Sequence, residues 1–231
     1  MAVARLRALG EAHSCVAIAD PQSASCLPPE LQSGRIVVIS DFNCPYCFTL
    51  NAWLNILGVS RRVYWVGVEH KPHLPKTFSE ENLLDDVQTL NREVSDVMLR
   101  APEVGVKLPS LWCNSHQALL LQAAVEADQP ELAGQLRTTI FERLWREGRC
   151  ISEPEELIAC EHKAGVQFDT ERFLDEEQLH RITNWWREEL DRIPCMFSPS
   201  GVRHLGLQDL ATVEAFVLGA LNELPAGPTC K

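Results

Sequence analysis

The stretch RIVVISDFNCPYC, residues 35–47, decides the fold. Its first half is a continuous β-branched run, which is typical of a strand buried on both faces. From Tyr46 onward the apolar residues follow helical spacing as far as Gly58, a residue that suits a helix C-terminus. Residues 61–69 then form a second β-branched and aromatic run. The sequence therefore predicts a βαβ unit with two cysteines at the N-terminus of its helix.

The chain changes character after this unit. Residues 79–190 follow helical periodicity almost throughout, and the pair Ser152 and Glu155 has the spacing of a capping box. Residues 192–198 predict a short strand that is entered through Pro194. Residues 201–205 fit its hairpin partner, and residues 210–221 fit a terminal helix. A βαβ half and a ββα half are thus separated by a helical block.

This organisation predicts three parts in the chain. They are an N-terminal arm over residues 1–34, an α/β domain over residues 35–78 and 192–224, and an inserted helical domain over residues 79–191.

The composition excludes several functional classes. The chain has 231 residues and a formal net charge of −11, so it repels phosphate backbones and no nucleic acid is expected as a partner. Its apolar runs all fall short of the roughly 18 residues that span a bilayer. Arg5 and Arg7 also interrupt the apolar stretch that a signal peptide needs. A cytoplasmic protein without a membrane partner is expected, in which most of the nine cysteines are thiols.

Cys44 and Cys47 are the residues with the clearest chemistry. Two cysteines separated by two residues at a helix start can close a small disulfide loop. Helix N-termini present unpaired N–H groups and a partial positive charge, which predict a depressed pKa for Cys44. Cys44 then attacks a substrate disulfide, and Cys47 resolves the mixed disulfide. Pro45 suits the first turn, where a missing N–H costs little.

A lone Cys-x-x-Cys is also half of a zinc site, but no second motif accompanies this one, and no metal site is expected. His70, His73 and His116 show no ligand spacing with the cysteines and are interpreted as hydrogen-bonded or solvated side chains. Cys195, beside Pro194, is interpreted as a small core residue.

Residues 40–47 resemble the active-site segment of DsbA-like thioredoxin-fold proteins, in particular the FrnE-type cytoplasmic branch. That branch has an acidic residue three positions before the first cysteine, where Asp41 stands here. The family is related to 2-hydroxychromene-2-carboxylate isomerases and kappa-class glutathione transferases. The likeness covers about residues 35–222, with further similar segments at 64–75, 114–115, 148–157, 164–166, 193–194 and 201–221.

The resemblance implies a thioredoxin fold, a central mixed sheet with a large inserted all-helical domain. It also implies that Pro194 is cis and faces the Cys44 sulfur, and that the backbone of Ile193 pairs with an extended substrate peptide. Tyr46, between the cysteines, would help to set the reduction potential. The Pro-Tyr dipeptide is that of glutaredoxins, which indicates a reducing couple of about −200 to −230 mV.

The leading hypothesis is a thiol–disulfide oxidoreductase or protein disulfide isomerase. Its only redox group would be the Cys44–Cys47 disulfide, with protein or peptide thiols and disulfides as partners and glutathione as a candidate co-substrate. A glutathione-dependent isomerase or kappa-type glutathione transferase is a second hypothesis, although these enzymes usually carry serine where Cys44 stands. A third is a redox-sensing or chaperone-like binding module.

Overall fold

The computed structural model describes residues 28, 33–74, 84–110, 112–167, 176–190 and 192–223. In chain order its elements are β1 (Ile36–Ser40), α1 (Pro45–Ile56), β2 (Val63–Gly67), α2 (Leu84–Arg100), α3 (His116–Asp128), α4 (Pro130–Trp145), α5 (Pro154–Ala164), α6 (Glu176–Glu189), β3 (Cys195–Phe197), β4 (Arg203–Leu205) and α7 (Leu210–Asn222). The predicted arm over residues 1–34 lies almost entirely outside the described residues.

The four strands form one mixed sheet in the order β2-β1-β3-β4. β1 runs parallel to β2, with Ile36 opposite Val63, and antiparallel to β3, with Ile39 opposite Cys195. β4 pairs antiparallel with β3. The predicted βαβ and ββα halves are confirmed, with α2 to α6 between them in the chain. The architecture is that of a thioredoxin fold with helical elements inserted.

β1 is the centre of the core because helices cover both faces of the sheet. All five of its residues are buried, as the β-branched run predicts. Ile36 and Val38 belong to a large cluster that includes α1 and most of the helical block, whereas Val37 and Ile39 pack with α6 on the opposite face. This alternation follows from the two-residue period of a strand. The helical block therefore shares its core with the sheet and buries the end of β1 where the cysteine motif begins.

Several local predictions are wrong. Residues 61, 62, 68 and 69 lie outside β2. Glu153, rather than Ser152, is the N-cap of α5, and no side-chain hydrogen bond caps that helix. Ile56 and Met98 are apolar residues of the predicted helical segments, yet their side chains are exposed. Ile56 is the last residue of α1, and Met98 follows the buried Val97, so its side chain points away from the core.

Among the described helices, none has both the length and the apolar character that crossing a bilayer requires.

Candidate active site

The cysteine motif leaves the sheet at the end of β1. After Ser40 the chain turns through residues 41–43, and Cys44 takes up the extended N-cap conformation of α1 with Pro45 in the first helical turn. Cys44 and Cys47 are 3% and 1% exposed, and both are thiols. Their side chains are hydrogen-bonded to each other, and the Cys47 backbone N–H also donates to the Cys44 sulfur. The structure thus brings the two sulfurs together at the helix N-terminus.

The predicted depression of the Cys44 pKa is wrong. Burial raises the pKa of Cys44 well above its ordinary value, and the neighbouring Cys47 side chain raises it further. The N–H of Cys47 acts in the opposite direction, as a helix N-terminus should, but its effect is the smaller one. Cys44 is therefore a thiol at neutral pH, since a desolvated sulfur does not hold a negative charge well.

Two tryptophans from the helical block hold the backbone that precedes Cys44. Trp145 Nε1 donates to the carbonyl of Phe42 at 2.7 Å, and Trp112 Nε1 donates to the carbonyl of Asn43 at 3.2 Å. Both indoles are buried. Each therefore satisfies a carbonyl that water cannot reach. The position of Cys44 depends on the helical block as well as on the sheet.

The Asn43 side chain is buried with neither of its polar atoms hydrogen-bonded. Such a group costs free energy and calls for an explanation. It precedes Cys44 directly, so this unsatisfied amide lies within the turn that carries the cysteine motif.

Asp41 ties the ends of the two parallel strands together. It is fully buried, and its Oδ2 accepts hydrogen bonds from the His70 backbone N–H at 2.9 Å and contacts His70 Nδ1 at 2.7 Å. Asp41 follows β1 and His70 follows β2, and the carboxyl ends of parallel neighbours meet at one edge of a sheet. Asp41 thus organises the turn from which the cysteines emerge, and His70 is a hydrogen-bonded histidine, as expected.

Tyr46 and two carboxylates of α2 form the helical side of the site. The Tyr46 hydroxyl is hydrogen-bonded to Asp96, and burial together with the charges of Asp96 and Glu93 raises the pKa of Tyr46 to about 12. Burial also raises the pKa of Glu93, whose charge acts on Cys44 as well. The neutral Tyr46 hydroxyl therefore links the Cys-Pro-Tyr-Cys turn to α2.

Pro194 reaches the same edge of the sheet from β3. The Ile193–Pro194 peptide bond is cis, as the resemblance implies. Because Ile39 lies opposite Cys195 in an antiparallel pair, Pro194 comes alongside Ser40, where the chain turns toward Cys44. Cys195 is fully buried, and burial raises its pKa to about 12, which suits the predicted core residue.

Residues 35–184, more than half of the chain, match the family model described as DSBA-like thioredoxin domain. The chain belongs to this family. Solved structures with the same fold include a probable DsbA oxidoreductase from Streptomyces coelicolor (TM-score 0.64, 11% identity, 85% of this chain and 94% of that one covered). A 2-hydroxychromene-2-carboxylate isomerase has a TM-score of 0.61 at 17% identity, over 81% of this chain and 95% of its own.

A third structure is the cytosolic disulfide reductase DsbM from Pseudomonas aeruginosa with GSH (TM-score 0.54, 16% identity, 81% of this chain and 98% of that one covered). No curated protein matches the chain by sequence. The DsbA-like thioredoxin fold accounts for all of these likenesses, and the named proteins are oxidoreductases and an isomerase.

The α2 side of this candidate site has little signal in the sequence. Glu93 and Asp96 each stand one position before a buried residue, Val94 and Val97, at the edge of the apolar face of α2. That edge position is the one signal in the sequence, because the packing of α2 against α1 is a tertiary feature. No local sequence pattern predicts that Trp112 and Trp145 donate hydrogen bonds to the backbone before Cys44.

One group among the described residues has metal-ligand spacing. Glu69, His116 and His180 each offer a ligand atom, and these atoms lie within 4.8 Å of one another. His116 Nδ1 is 3.1 Å from the Glu69 carboxylate, so a hydrogen-bonded network accounts for much of the cluster. The group includes neither cysteine of the pair. Of these three residues His116 is the one with a predicted role, and the cluster has no signal in the sequence because its members come from three separate segments of the chain.

Proposed function

We propose that this protein is a cytoplasmic thiol–disulfide oxidoreductase that uses Cys44 and Cys47 mainly to reduce disulfides. The observation that carries the proposal is the position of Cys44, at the N-cap of α1 and hydrogen-bonded to both the thiol and the backbone N–H of Cys47. A nucleophile and a resolving group in direct contact are what a two-step exchange needs.

The reaction balances without a further cofactor. Cys44 loses its proton and attacks a substrate disulfide, a mixed disulfide forms, and the first substrate thiol leaves. Cys47 then loses its proton and attacks the Cys44 sulfur, which releases the second substrate thiol and leaves a Cys44–Cys47 disulfide. Two molecules of glutathione can restore the dithiol and leave as glutathione disulfide. The structure of DsbM was solved with GSH, which supports glutathione as the co-substrate to test.

The reducing direction is supported by the environment of Cys44. A strongly oxidising pair owes its potential to a stabilised reduced form, in which the first cysteine is a thiolate. Here burial raises the Cys44 pKa, so the reduced form has no such stabilisation. The Pro-Tyr dipeptide between the cysteines points the same way.

We propose that the substrate disulfide lies on an extended peptide or on a glutathione moiety. Cys44 is 3% exposed, so the flat surface of a folded protein cannot reach its sulfur. An extended peptide that runs along Ile193 and Pro194, or a glutathione moiety, presents a sulfur on a narrow chain. Asp41 and Tyr46 would tune the site through their contacts with His70 and Asp96, and Pro45 through its place in the first turn of α1.

The test is reduction of a glutathionylated peptide and of insulin, each with glutathione as the final reductant. Cys44→Ser should lower both rates to those of glutathione alone. Cys47→Ser should accumulate an enzyme–substrate mixed disulfide that mass spectrometry assigns to Cys44. Cys160→Ser is the matched control, because Cys160 is an equally buried thiol in α5 and should be dispensable. Substantial turnover by Cys44→Ser would refute the assignment.

The other two hypotheses predict different results in the same assays. A kappa-type transferase would conjugate glutathione to a model electrophile and would not need Cys47. A redox-sensing module would oxidise once with peroxide and would show no catalytic turnover with insulin.

A further inference from the structure

A second pair of cysteines lies close to the site and has no part in the proposed reaction. Cys113 stands in the segment before α3, and Cys150 stands between α4 and α5. Both are thiols, Cys113 fully buried and Cys150 9% exposed. Their side chains are hydrogen-bonded to each other, and the Cys150 sulfur is also 3.1 Å from the Ser152 hydroxyl.

The hydrogen bonds give the two sulfurs opposite characters. The Cys113 thiol donates to Cys150 and, against the effect of burial, is the main reason that the Cys150 pKa is lowered to about 6. The side chain and backbone N–H of Ser152 lower it further. The same contact, together with burial, raises the pKa of Cys113. These contacts favour the thiolate of Cys150, with a proton-bearing thiol beside it, an arrangement typical of reactive cysteines.

We propose that Cys150 and Cys113 are a second redox-active pair, which a low-molecular-weight disulfide such as glutathione disulfide oxidises to an intramolecular disulfide. Cys150 is the attacking member because it is the more exposed sulfur. Its thiolate attacks one sulfur of glutathione disulfide, a Cys150–glutathione bond forms, and one glutathione thiolate leaves. Cys113 then gives up its proton and attacks the Cys150 sulfur, which releases the second glutathione. Two protein thiols are oxidised and one glutathione disulfide is reduced to two glutathione molecules.

The new bond would join the two segments that hold the first site. Trp112 precedes Cys113 and donates to Asn43, and Trp145 lies at the end of α4, shortly before Cys150, and donates to Phe42. Oxidation of the second pair therefore acts on the supports of the backbone before Cys44. This regulatory consequence rests on the proposed function, whereas the disulfide itself does not.

The experiment uses the full chain with Cys44→Ser and Cys47→Ser together, so that the first pair cannot form a disulfide and, among the described cysteines, the second pair is the one whose side chains are hydrogen-bonded to each other. The protein is equilibrated with glutathione disulfide at pH 7, quenched with acid, alkylated and mapped by peptide mass spectrometry. A Cys113–Cys150 disulfide is expected. In this background Cys113→Ser should accumulate a glutathione adduct on Cys150, and Cys150→Ser should leave Cys113 unmodified.

Cys160 is the internal control, because burial raises its pKa to about 11. At pH 7 iodoacetamide should label Cys150 at least about 100-fold faster than Cys160, since only the first is mostly thiolate. The wild-type protein provides a check against misfolded variants, because peptide mapping distinguishes its two disulfides. The proposal would be overturned if no Cys113–Cys150 disulfide formed in either the wild type or the variant, whether or not Cys44 and Cys47 are active. An adduct that forms first on Cys113 would overturn the assigned roles.

Discussion

Replacing Trp145 by Phe tests whether the helical block holds the cysteine motif in place. The indole N–H is the donor to the Phe42 carbonyl at 2.7 Å, and both residues are fully buried. Phenylalanine keeps an aromatic ring in the core, against Phe48, but removes the donor. The abandoned carbonyl then has no access to water.

The loss of stability depends on whether the acceptor that loses its hydrogen bond can reach water. A buried carbonyl that loses its partner costs about 1–3 kcal/mol, whereas an acceptor that can be rehydrated costs only the net hydrogen bond, about 0.5–1.5 kcal/mol. Trp53→Phe provides the matched comparison, because the Trp53 ring is equally buried but its Nε1 donates at 2.9 Å to the exposed Glu103 carboxylate. The loss of ring area is common to both variants and cancels. We expect Trp145→Phe to be the less stable variant by about 1–2 kcal/mol.

Urea unfolding measures this difference. With an m-value of about 2–3 kcal/mol/M, the midpoint of Trp145→Phe should lie roughly 0.5 M below that of Trp53→Phe. Only Trp145→Phe should also change the rate at which iodoacetamide labels Cys44, because only this variant frees the backbone before Cys44. Equal midpoints, with unchanged Cys44 labelling in both variants, would refute the reasoning.

Three other predictions concern the same region. Because burial raises the Cys44 pKa, its labelling rate should increase about tenfold per pH unit up to pH 9, and a plateau below pH 7 would show that the thiolate is stabilised after all. Burial also raises the Glu93 pKa, so the stability that Glu93 contributes is present below its unfolded pKa of about 4.3 and is lost as pH rises through the folded value. Glu93→Gln should therefore raise the urea midpoint at pH 7 and leave it almost unchanged at pH 3.5; a gain only at acid pH would contradict this. A Cβ on Gly67 would lie 2.7 Å from Leu119 Cδ2, so Gly67→Ala should destabilise the protein by about 1–3 kcal/mol in urea unfolding. Adding Leu119→Val should restore part of this loss, because it removes the clashing methyl group. No recovery of stability in the double variant would contradict the clash.

The fold could be predicted from the sequence wherever local pattern and burial agree. The run over residues 36–39 is β-branched because β1 is an inner strand that is covered on both faces. The change to helical spacing after Cys44 marks α1 almost to the residue. Helix ends were less predictable. At α5 the Ser152 hydroxyl lies 3.1 Å from the Cys150 sulfur, a contact that the capping-box pattern does not include.

Only the part of the candidate site that is local in sequence, the cysteine motif, could be predicted. Cys44 and Cys47 are visible as a motif, whereas the contacts that set their environment join distant segments. Trp145 and its acceptor Phe42 are 103 residues apart, and Trp112 and its acceptor Asn43 are 69 apart. No local spacing encodes such a pair, because the packing of the helical block on the sheet decides which carbonyl an indole reaches.

The two cysteine pairs explain why the predicted pKa of Cys44 was wrong. Helix position suggested a stabilised thiolate at Cys44, yet burial prevails there because the sulfur receives one backbone N–H. Cys150 lies outside any helix, but the Cys113 thiol, the Ser152 hydroxyl and a backbone N–H all donate to it, and its pKa falls to about 6. The balance of donors against desolvation, rather than the helix N-terminus alone, decides which sulfur is charged. Under the proposed function, a pair whose nucleophile stays protonated has no stabilised reduced form, which favours the reducing direction. The low-pKa thiolate at Cys150 is correspondingly the better site to sense an oxidised glutathione pool.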